Sequence, residues 1–471
     1  MINLKDSSDT LVISYEFPPS DDINGIVLAK RIINGNLTAD VIQNKVKNDN
    51  LISFDILDDF ITTRLYTTVD FLRDSIECIF EFLNQGLEII ENRQYSNIYS
   101  SSWAMANHFL ALEYKLRHPD VFWTAEFSDP LTRDLDGKFK VFDYAIIDNE
   151  DFINELNSHI KKHDPNLELL RNLDTAYFIA EYMTYIFADE LVFTNVNQKE
   201  IMSEQYGKNI KELIESKATI SPHPTLENKY YHLKEKRIDL NTEDINIAYF
   251  GNYYYAKRHF EPLFYAYESL NHKFKDRIKF HIFINEDEFL YKLIDDLEFK
   301  SNITIQKPLD YFEFLNASTQ YDILLINDTT TKGNFKVNPY LPSKLSDYKG
   351  SGRDIWALYE EGSILSGENT KYKSPMNHFA QSRDVLVKIL KDYGYDDEEA
   401  SFDDGFLEKR ITDLNEIIKN EDYEKSVINT KLLRYKNQNK KLKKQIKKLK
   451  AKNEEPSKSP KITNFLKGFR K

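Results

Sequence analysis

The sequence predicts an α/β protein of two Rossmann-like domains facing a cleft, followed by a coiled-coil helix and a short basic tail. Three observations carry that prediction. The chain of 471 residues is longer than one hydrophobic core usually supports, so two domains are expected. Short apolar runs alternate with helical stretches in two successive series, as in parallel sheets covered on both faces. Beyond residue 411 apolar residues recur in steps of three and four, the spacing of a coiled-coil seam. With 41% hydrophobic and 13% aromatic residues, the composition fills cores of this size and excludes a largely disordered chain.

In chain order, the first series places strands at Leu11 to Tyr15, Ile52 to Ile56, Asn97 to Ser101, Val121 to Phe127, Glu190 to Thr194 and Ala218 to Ile220. Helices such as Asp70 to Glu91 and Ala104 to Arg117 lie between them, and together they define a first domain over residues 1–221. Residues 222–245, mostly polar, read as an interdomain linker. A second domain over 246–395 has strands at Asn246 to Phe250, Lys279 to Ile284, Ile303 to Gln306, Ile323 to Ile326 and Ile355 to Leu358. A helical extension follows over 396–424, and a coiled coil over 425–453. Its seam includes Ile428, Leu432, Tyr435, Leu442, Ile446 and Leu449, with Asn439 where a buried polar residue sets register. Such a seam predicts a homo-oligomer; a solvated Lys-rich helix is the competing reading. In the tail, 454–471, Ile462, Phe465, Leu466 and Phe469 stand at helical spacing among Lys461, Lys467, Arg470 and Lys471. A basic amphipathic segment of that kind can rest on anionic lipid, and a merely soluble tail is the alternative.

Charge divides the chain in the same way. Residues 425–471 carry 17 Lys and Arg against two Glu, a local balance of +15, so the remainder carries −28 of the net −13. An acidic body argues against nucleic acid as a partner, and the basic end reads as a separate device for an anionic surface. The single cysteine, Cys78, excludes an intramolecular disulfide and sits in an apolar run as a small hydrophobe. No apolar run is long enough to span a bilayer and the first residues are polar, which predicts a cytoplasmic protein able to sit peripherally at the inner face of the membrane.

Three segments have the chemistry of an anion site. After the first strand, Glu16-Phe-Pro-Pro-Ser-Asp-Asp-Ile-Asn-Gly25 leads into a helix. There Asn24 and Gly25 would present free backbone N–H groups to a phosphate, although Pro-Pro and Asn-Gly also make ordinary turns. In Phe250-Gly-Asn-Tyr-Tyr-Tyr-Ala-Lys-Arg258, Gly251 permits close backbone approach and Arg258, with Lys257 beside it, can neutralise a diphosphate. A solvated cation pair at a helix start would look the same. The third, Asn338-Pro-Tyr-Leu-Pro-Ser-Lys-Leu-Ser-Asp-Tyr-Lys-Gly-Ser-Gly352, is the most specific. Pro342 and Ser343 open a helix, and Lys344 occupies its first turn, where the helix dipole disfavours a cation unless an anion is bound. Asp347 lies one turn along and can accept hydrogen bonds from ribose hydroxyls, while Gly350 and Gly352 end the helix.

With its Pro-Ser-Lys-Leu-x-Asp-Tyr block, the sequence resembles the GT-B glycosyltransferases of the large family 4, in particular envelope-polysaccharide members. The resemblance covers most of residues 11–395 and includes Ser14-Tyr-Glu-Phe-Pro-Pro19, Ser100-Ser-Ser-Trp103, Phe127-Ser-Asp-Pro130, Ala188 to Thr194 and Ser221-Pro-His-Pro224. It implies a nucleotide-sugar donor, a UDP-sugar being favoured, with its diphosphate held by Arg258 and Lys344 and its ribose by Asp347. Ser343 and Gly251 would line the donor, Asn24 and Gly25 would close on the phosphate, and Asp129 would face the sugar or acceptor. Many members carry two glutamates eight positions apart; here Asp347 fills the second place and Pro339 the first. Many also carry an arginine where this chain has Asn252.

The implied reaction is transfer with retention at the anomeric carbon, to a cell-envelope glycan or teichoic-acid-type acceptor, lipid-linked or polymeric. Its principal demand is stabilisation of charge on the leaving phosphate, so neither cofactor nor metal is expected. Two alternatives stand beside it: a catalytically lapsed scaffold or chaperone for a partner enzyme, and a glycerol-phosphate-type transferase. For the latter the sequence offers no convincing histidine pair. His108 and His223 stay outside the expected site, as a structural helix residue and a linker residue.

Overall fold

In the computed structural model, the described residues are 9–45, 54–253, 258 and 260–395. The predicted helical extension and coiled coil, nearly all of which fall in 396–453, and the basic tail lie outside them, as does Lys257.

Two parallel sheets form the frame. The first contains β1 (Thr10–Ile13), β2 (Ala39–Asn44), β3 (Ile61–Thr67), β4 (Asn97–Ser101), β5 (Phe122–Phe127), β6 (Glu190–Phe193) and β7 (Ala218–Ile220), in the order β3-β2-β1-β4-β5-β6-β7. The second contains β8 (Ile245–Phe250), β9 (Ile278–Phe283), β10 (Ile303–Gln306), β11 (Ile323–Asn327), β12 (Asp354–Tyr359) and β13 (Tyr372–Pro375), ordered β10-β9-β8-β11-β12-β13. Every pairing within these sheets is parallel, so the connections must cross over, and helices cover the faces. Side-chain caps begin several helices. Ser75 accepts from Cys78 N, Thr175 from Phe178 N and Asn195 from Gln198 N, satisfying amides that the first helical turn leaves open.

The sequence reading of the first sheet needs correction at its edge. The stretch assigned as a strand at Ile52 to Ile56 ends in a 3-10 turn, Asp55–Leu57. Phe54 packs instead against Tyr311 and Phe312, with ring centroids 5.7 and 4.7 Å away. The edge is made by β2 and β3, which periodicity missed because β2 buries Asp40 and Gln43. Their partners are remote in sequence: Arg93 and Tyr95 each donate to Asp40 at 2.9 Å, and Arg64 donates to Gln43 at 3.2 Å. Strand β13 was also missed, and the helix expected from Asp70 begins at Ile76.

A continuous buried cluster joins the two sheets, running from Val12, Phe17 and Ile26 to Phe250, Phe314, Leu345 and Tyr348. The other face of the second sheet has a separate core around Phe260, Phe264, Trp356 and Leu386. The carboxyl ends of both sheets are consequently carried on a shared seam.

Candidate active site

The order of the second sheet reverses between β8 and β11, the switch point at which parallel sheets open a crevice for ligands. Here the ladder shows the opening. Strand β11 pairs with β8 only at Ile323 with Ile247 and Leu324 with Ala248. Against β12 it stays in register as far as Asn327 with Leu358. The last residues of β8 and β11 thus form two banks.

Arg258 bridges those banks. Its Nη1 donates to the Tyr249 hydroxyl at 3.3 Å and the Asn252 carbonyl at 3.1 Å, and its Nε to Thr329 Oγ1 at 3.4 Å. Gly251 has a local reason: a Cβ there would lie 3.0 Å from the Tyr249 hydroxyl that holds Arg258. On the opposite bank Asn327 and Asp328 are 1% and 0% exposed. Both side-chain heteroatoms of Asn327, and Oδ1 of Asp328, meet no hydrogen-bonding group among the described residues. Oδ2 of Asp328 is used, accepting from Glu360 N at 2.8 Å and Ser363 Oγ at 2.5 Å. Burial drives the Asp328 pKa up to about 7. An unsatisfied buried polar group costs roughly 1–3 kcal/mol, so this bank is an energetically expensive arrangement.

From β11 the chain loops to the helix Lys344–Ser351. The Glu360 carboxylate organises that loop, accepting from Thr331 N and Oγ1, Lys332 N and Asn338 Nδ2 at 2.6 to 3.0 Å. The first sheet's side holds it too: Asn195 donates to the Pro339 carbonyl at 2.9 Å and Asn197 to the Asn338 carbonyl at 3.0 Å. Pro339 therefore contributes a carbonyl to an interdomain contact. Ser343 is the N-cap of the helix, but its side chain makes no capping bond. Lys344 is half-buried, with its ammonium 4.1 Å from the Phe314 ring centroid, a cation–π contact. Among the described residues no carboxylate lies within ion-pair distance of it. Burial lowers its pKa, and the charges of Lys30 and Arg258 act in the same direction against the pull of Asp347.

Asp347 is more engaged than the sequence suggests. It is 1% exposed, and its Oδ1 accepts from Lys30 Nζ at 2.8 Å and from the Tyr311 hydroxyl at 2.9 Å. Lys30, also 1% exposed, comes from the first-domain helix Ile23–Gly35 and also donates to Ser346 Oγ at 2.8 Å. The pair crosses the domains at a site without solvent, where both charges need each other. Nor does Gly350 end the helix; Gly352 does, with φ 72°. Gly350 is a glycine because a Cβ would fall 2.0 Å from the Tyr231 hydroxyl, which donates to the Asp347 carbonyl at 2.6 Å.

A second correction concerns Asn24 and Gly25. Their N–H groups donate to Oδ1 of Asp22, the N-cap, at 2.9 and 3.2 Å. Aspartate as a cap satisfies these amides and places its own negative charge where a phosphate was expected. Gly25 is required sterically, since a Cβ would lie 2.5 Å from the Glu16 carbonyl. Nearby, at the ends of β1 and β4, Glu16 accepts from Arg73 and from Trp103 Nε1, both at 3.1 Å, and Arg73 lies 4.4 Å over the Trp103 ring.

Asp129, just beyond β5, is exposed and makes no hydrogen bond or ion pair among the described residues. Surrounding protein nevertheless raises its pKa to about 6, opposed by the charges of Lys140 and Arg258. Solvent access at such depth describes a cleft wall. The field of Arg258 reaches both Asp129 and Lys344, so these three groups share one electrostatic environment.

Other residues fall outside it. His108 is 1% exposed, with Nδ1 2.8 Å from Ser100 Oγ and its pKa lowered to about 3 by burial, a core residue. His223 follows Ser221, which Arg31 holds through Oγ and the carbonyl at 2.7 Å each. Lys30, Glu360, Asn195 and Asn197 were not found from sequence; Lys30 alone left a signal, as a cation on the apolar face of the helix Ile23–Gly35. Among the described residues no group of three or more His, Cys, Asp or Glu is arranged to hold a metal, and no helix is long and apolar enough to cross a membrane.

Solved structures share this architecture. Sucrose-phosphate synthase from Thermosynechococcus elongatus superimposes with a TM-score of 0.53 at 10% identity, over 83% of this chain and 92% of that one. The fold is GT-B. A glycosyltransferase from Rickettsia africae matches with a TM-score of 0.50 at 12% identity, covering 88% of this chain and 100% of its own. Anabaena HepE, solved in complex with UDP and glucose, matches with a TM-score of 0.50 at 8% identity over 87% and 98%. No protein-family model matches the chain, and the search of curated proteins finds no match.

Proposed function

We propose that the chain is a glycosyltransferase that takes a sugar from a nucleotide-sugar donor lodged between the crevice of the second sheet and the helix Lys344–Ser351. The observation that carries this reading is Lys344, a half-buried ammonium in the first turn of a helix whose cap side chain is unused, with no carboxylate within ion-pair distance among the described residues. A diphosphate would supply the missing charge. Arg258, which acts electrostatically on Lys344, would take the other side of the same anion. Anabaena HepE, of the same fold, was solved with UDP and glucose, which favours a UDP-sugar here.

In this reading the protein's principal work is electrostatic. Lys344 and Arg258 stabilise negative charge as it grows on the leaving phosphate, and the departing diphosphate receives the acceptor's proton on the same face, so configuration is retained. Asp129 faces the acceptor hydroxyl, a hydroxyl of an envelope glycan or teichoic-acid-type chain. Lys344→Ala is expected to lower turnover by about 10²- to 10³-fold with the thermal midpoint nearly unchanged. Sugar release from UDP-glucose and UDP-N-acetylglucosamine measures the first and a melting curve the second. Wild-type rates in the variant would sink the proposal.

A second reading, a GT-B scaffold without turnover, is favoured by two observations. Asp347 is engaged by Lys30, and the Asn24 and Gly25 amides are engaged by Asp22. Nucleotide binding without sugar release from any donor would select it.

A further inference from the structure

Pro339 has no carboxylate, and Oδ1 of Asp347 already accepts from Lys30 and Tyr311. Hydroxyl recognition, if the donor site is where we place it, needs groups beyond this one carboxylate. The bank of β11 has them. Asn327 and Asp328 are adjacent, sit at the carboxyl end of a central strand beside the switch point, and are at most 1% exposed. They leave a donor, Asn327 Nδ2, and two acceptors, Asn327 Oδ1 and Asp328 Oδ1, without a protein partner among the described residues. Buried polar atoms in native proteins are otherwise almost always paired, and three orphans on consecutive residues at a ligand crevice indicate a group that belongs there.

Their arrangement can be compared with their neighbours. Asp328 Oδ2, one atom away, is paired with Glu360 N and Ser363 Oγ, so the carboxylate is anchored on one oxygen and open on the other. Thr329, the next residue, touches Arg258, so the pair is joined to the cation assigned to the diphosphate. Two acceptors and one donor form the complement of a vicinal diol, whose hydroxyls donate to carboxylate and amide oxygens and accept from an amide N–H. A phosphate, with only acceptors to offer, would oppose Asp328. We infer that Asn327 and Asp328 bind a vicinal diol of the nucleotide sugar and thereby discriminate among donors. This rests on the donor reading above. The diol can come from the transferred sugar or from the ribose, which the test separates.

The variants are Asn327→Leu and Asp328→Asn, titrated as full-length protein by calorimetry with UDP-glucose, UDP, 2′-deoxy-UDP, GDP-mannose and GDP. If the sugar supplies the diol, both variants lose about tenfold or more in affinity for the nucleotide sugar that wild type binds, with its parent diphosphate unchanged. Should the ribose supply it, UDP and UDP-glucose weaken together and 2′-deoxy-UDP, already weak, does not change. Melting curves give an independent readout: Asn327→Leu removes unsatisfied polar atoms and should melt at or above the wild-type temperature while binding less well. A purely structural Asn327 would instead give a lower midpoint with unaltered donor preference, which overturns the inference and leaves the donor reading standing. Wild-type protein that binds none of these nucleotides overturns both.

Discussion

The carboxyl ends of the two sheets face the same cleft with opposite chemistry. At the first, the carboxylates are largely engaged: Glu16 is held by Arg73 and Trp103, and Asp22 caps the amides of Asn24 and Gly25, although Arg73 Nε and Asp74 Oδ1 are buried without a hydrogen-bond partner among the described residues. At the second, Lys344 rests on an aromatic ring with no carboxylate within ion-pair distance among the described residues, and there Asn327 Oδ1 and Nδ2 and Asp328 Oδ1 lack partners. A paired charge is stable and selective for little, whereas an unpaired cation bears a cost that an anionic ligand can relieve. The contrast supports the proposed place of the anion at the second sheet, since the loop of the first, though similar in sequence to a phosphate-binding turn, carries its own carboxylate. Domain contacts connect the two edges: Lys30 of the first domain neutralises Asp347 of the second, and Asn195 and Asn197 hold the carbonyls of Pro339 and Asn338.

The largest expected break in this comparison comes from Lys30→Met. With Asp347 left buried and unpaired, unfolding free energy should fall by about 3–5 kcal/mol, and Lys30→Met with Asp347→Leu should recover most of it; denaturant unfolding measures both. A single variant that kept its stability and bound UDP more tightly would show Asp347 to be a ribose ligand merely sequestered by Lys30. Next in size, Gly350→Ala must displace the Tyr231 ring from its bond to Asp347, at about 1–3 kcal/mol, again read by unfolding. Asp22→Ala should cost about 1 kcal/mol as a lost cap yet tighten UDP binding a few-fold, because it removes a negative charge and frees two amides. Weaker binding in that variant would argue that the first edge needs its carboxylate.

The smallest effect concerns pH. Asp129, raised to about 6 mainly by the desolvating protein around it, is ionised above that value and neutral below it. If its carboxylate accepts from the acceptor hydroxyl, turnover should fall as pH drops through about 6, and Asp129→Asn should flatten that limb at a lower plateau. Stability has the opposite sign. A carboxyl group whose pKa is raised by folding favours the native state when protonated, so Asp129 and Asp328 lose stability as pH rises from the ordinary carboxylate range through about 6 and 7. Asp328→Asn should therefore stabilise most at neutral pH and little near pH 4, by thermal melts across that range.

Local patterns explain what was readable from the chain itself. Apolar runs such as Ile323 to Ile326 and Asn246 to Phe250 are interior strands of a parallel sheet, so their composition alone predicts them. The helix that contains Lys344 was legible for a similar reason, since a Pro-Ser start and a terminal glycine are signals within one turn. Strands β2 and β3 were not, because Asp40 and Gln43 are acceptable inside a sheet only through Arg93, Tyr95 and Arg64, which are distant in sequence.

By itself, then, the sequence determined the fold class, the alternation that builds two sheets and the presence of a cation at a helix start. Tertiary structure decided which polar groups are already spoken for. Asp347 and Asn24 look like ligands in one dimension and prove to be engaged by Lys30 and Asp22, while Asn327 and Asp328 look like the end of a strand and prove to hold buried polar atoms without a partner among the described residues. Whether a polar atom is satisfied depends on what the fold brings within about 3 Å of it, and that information is absent from local sequence.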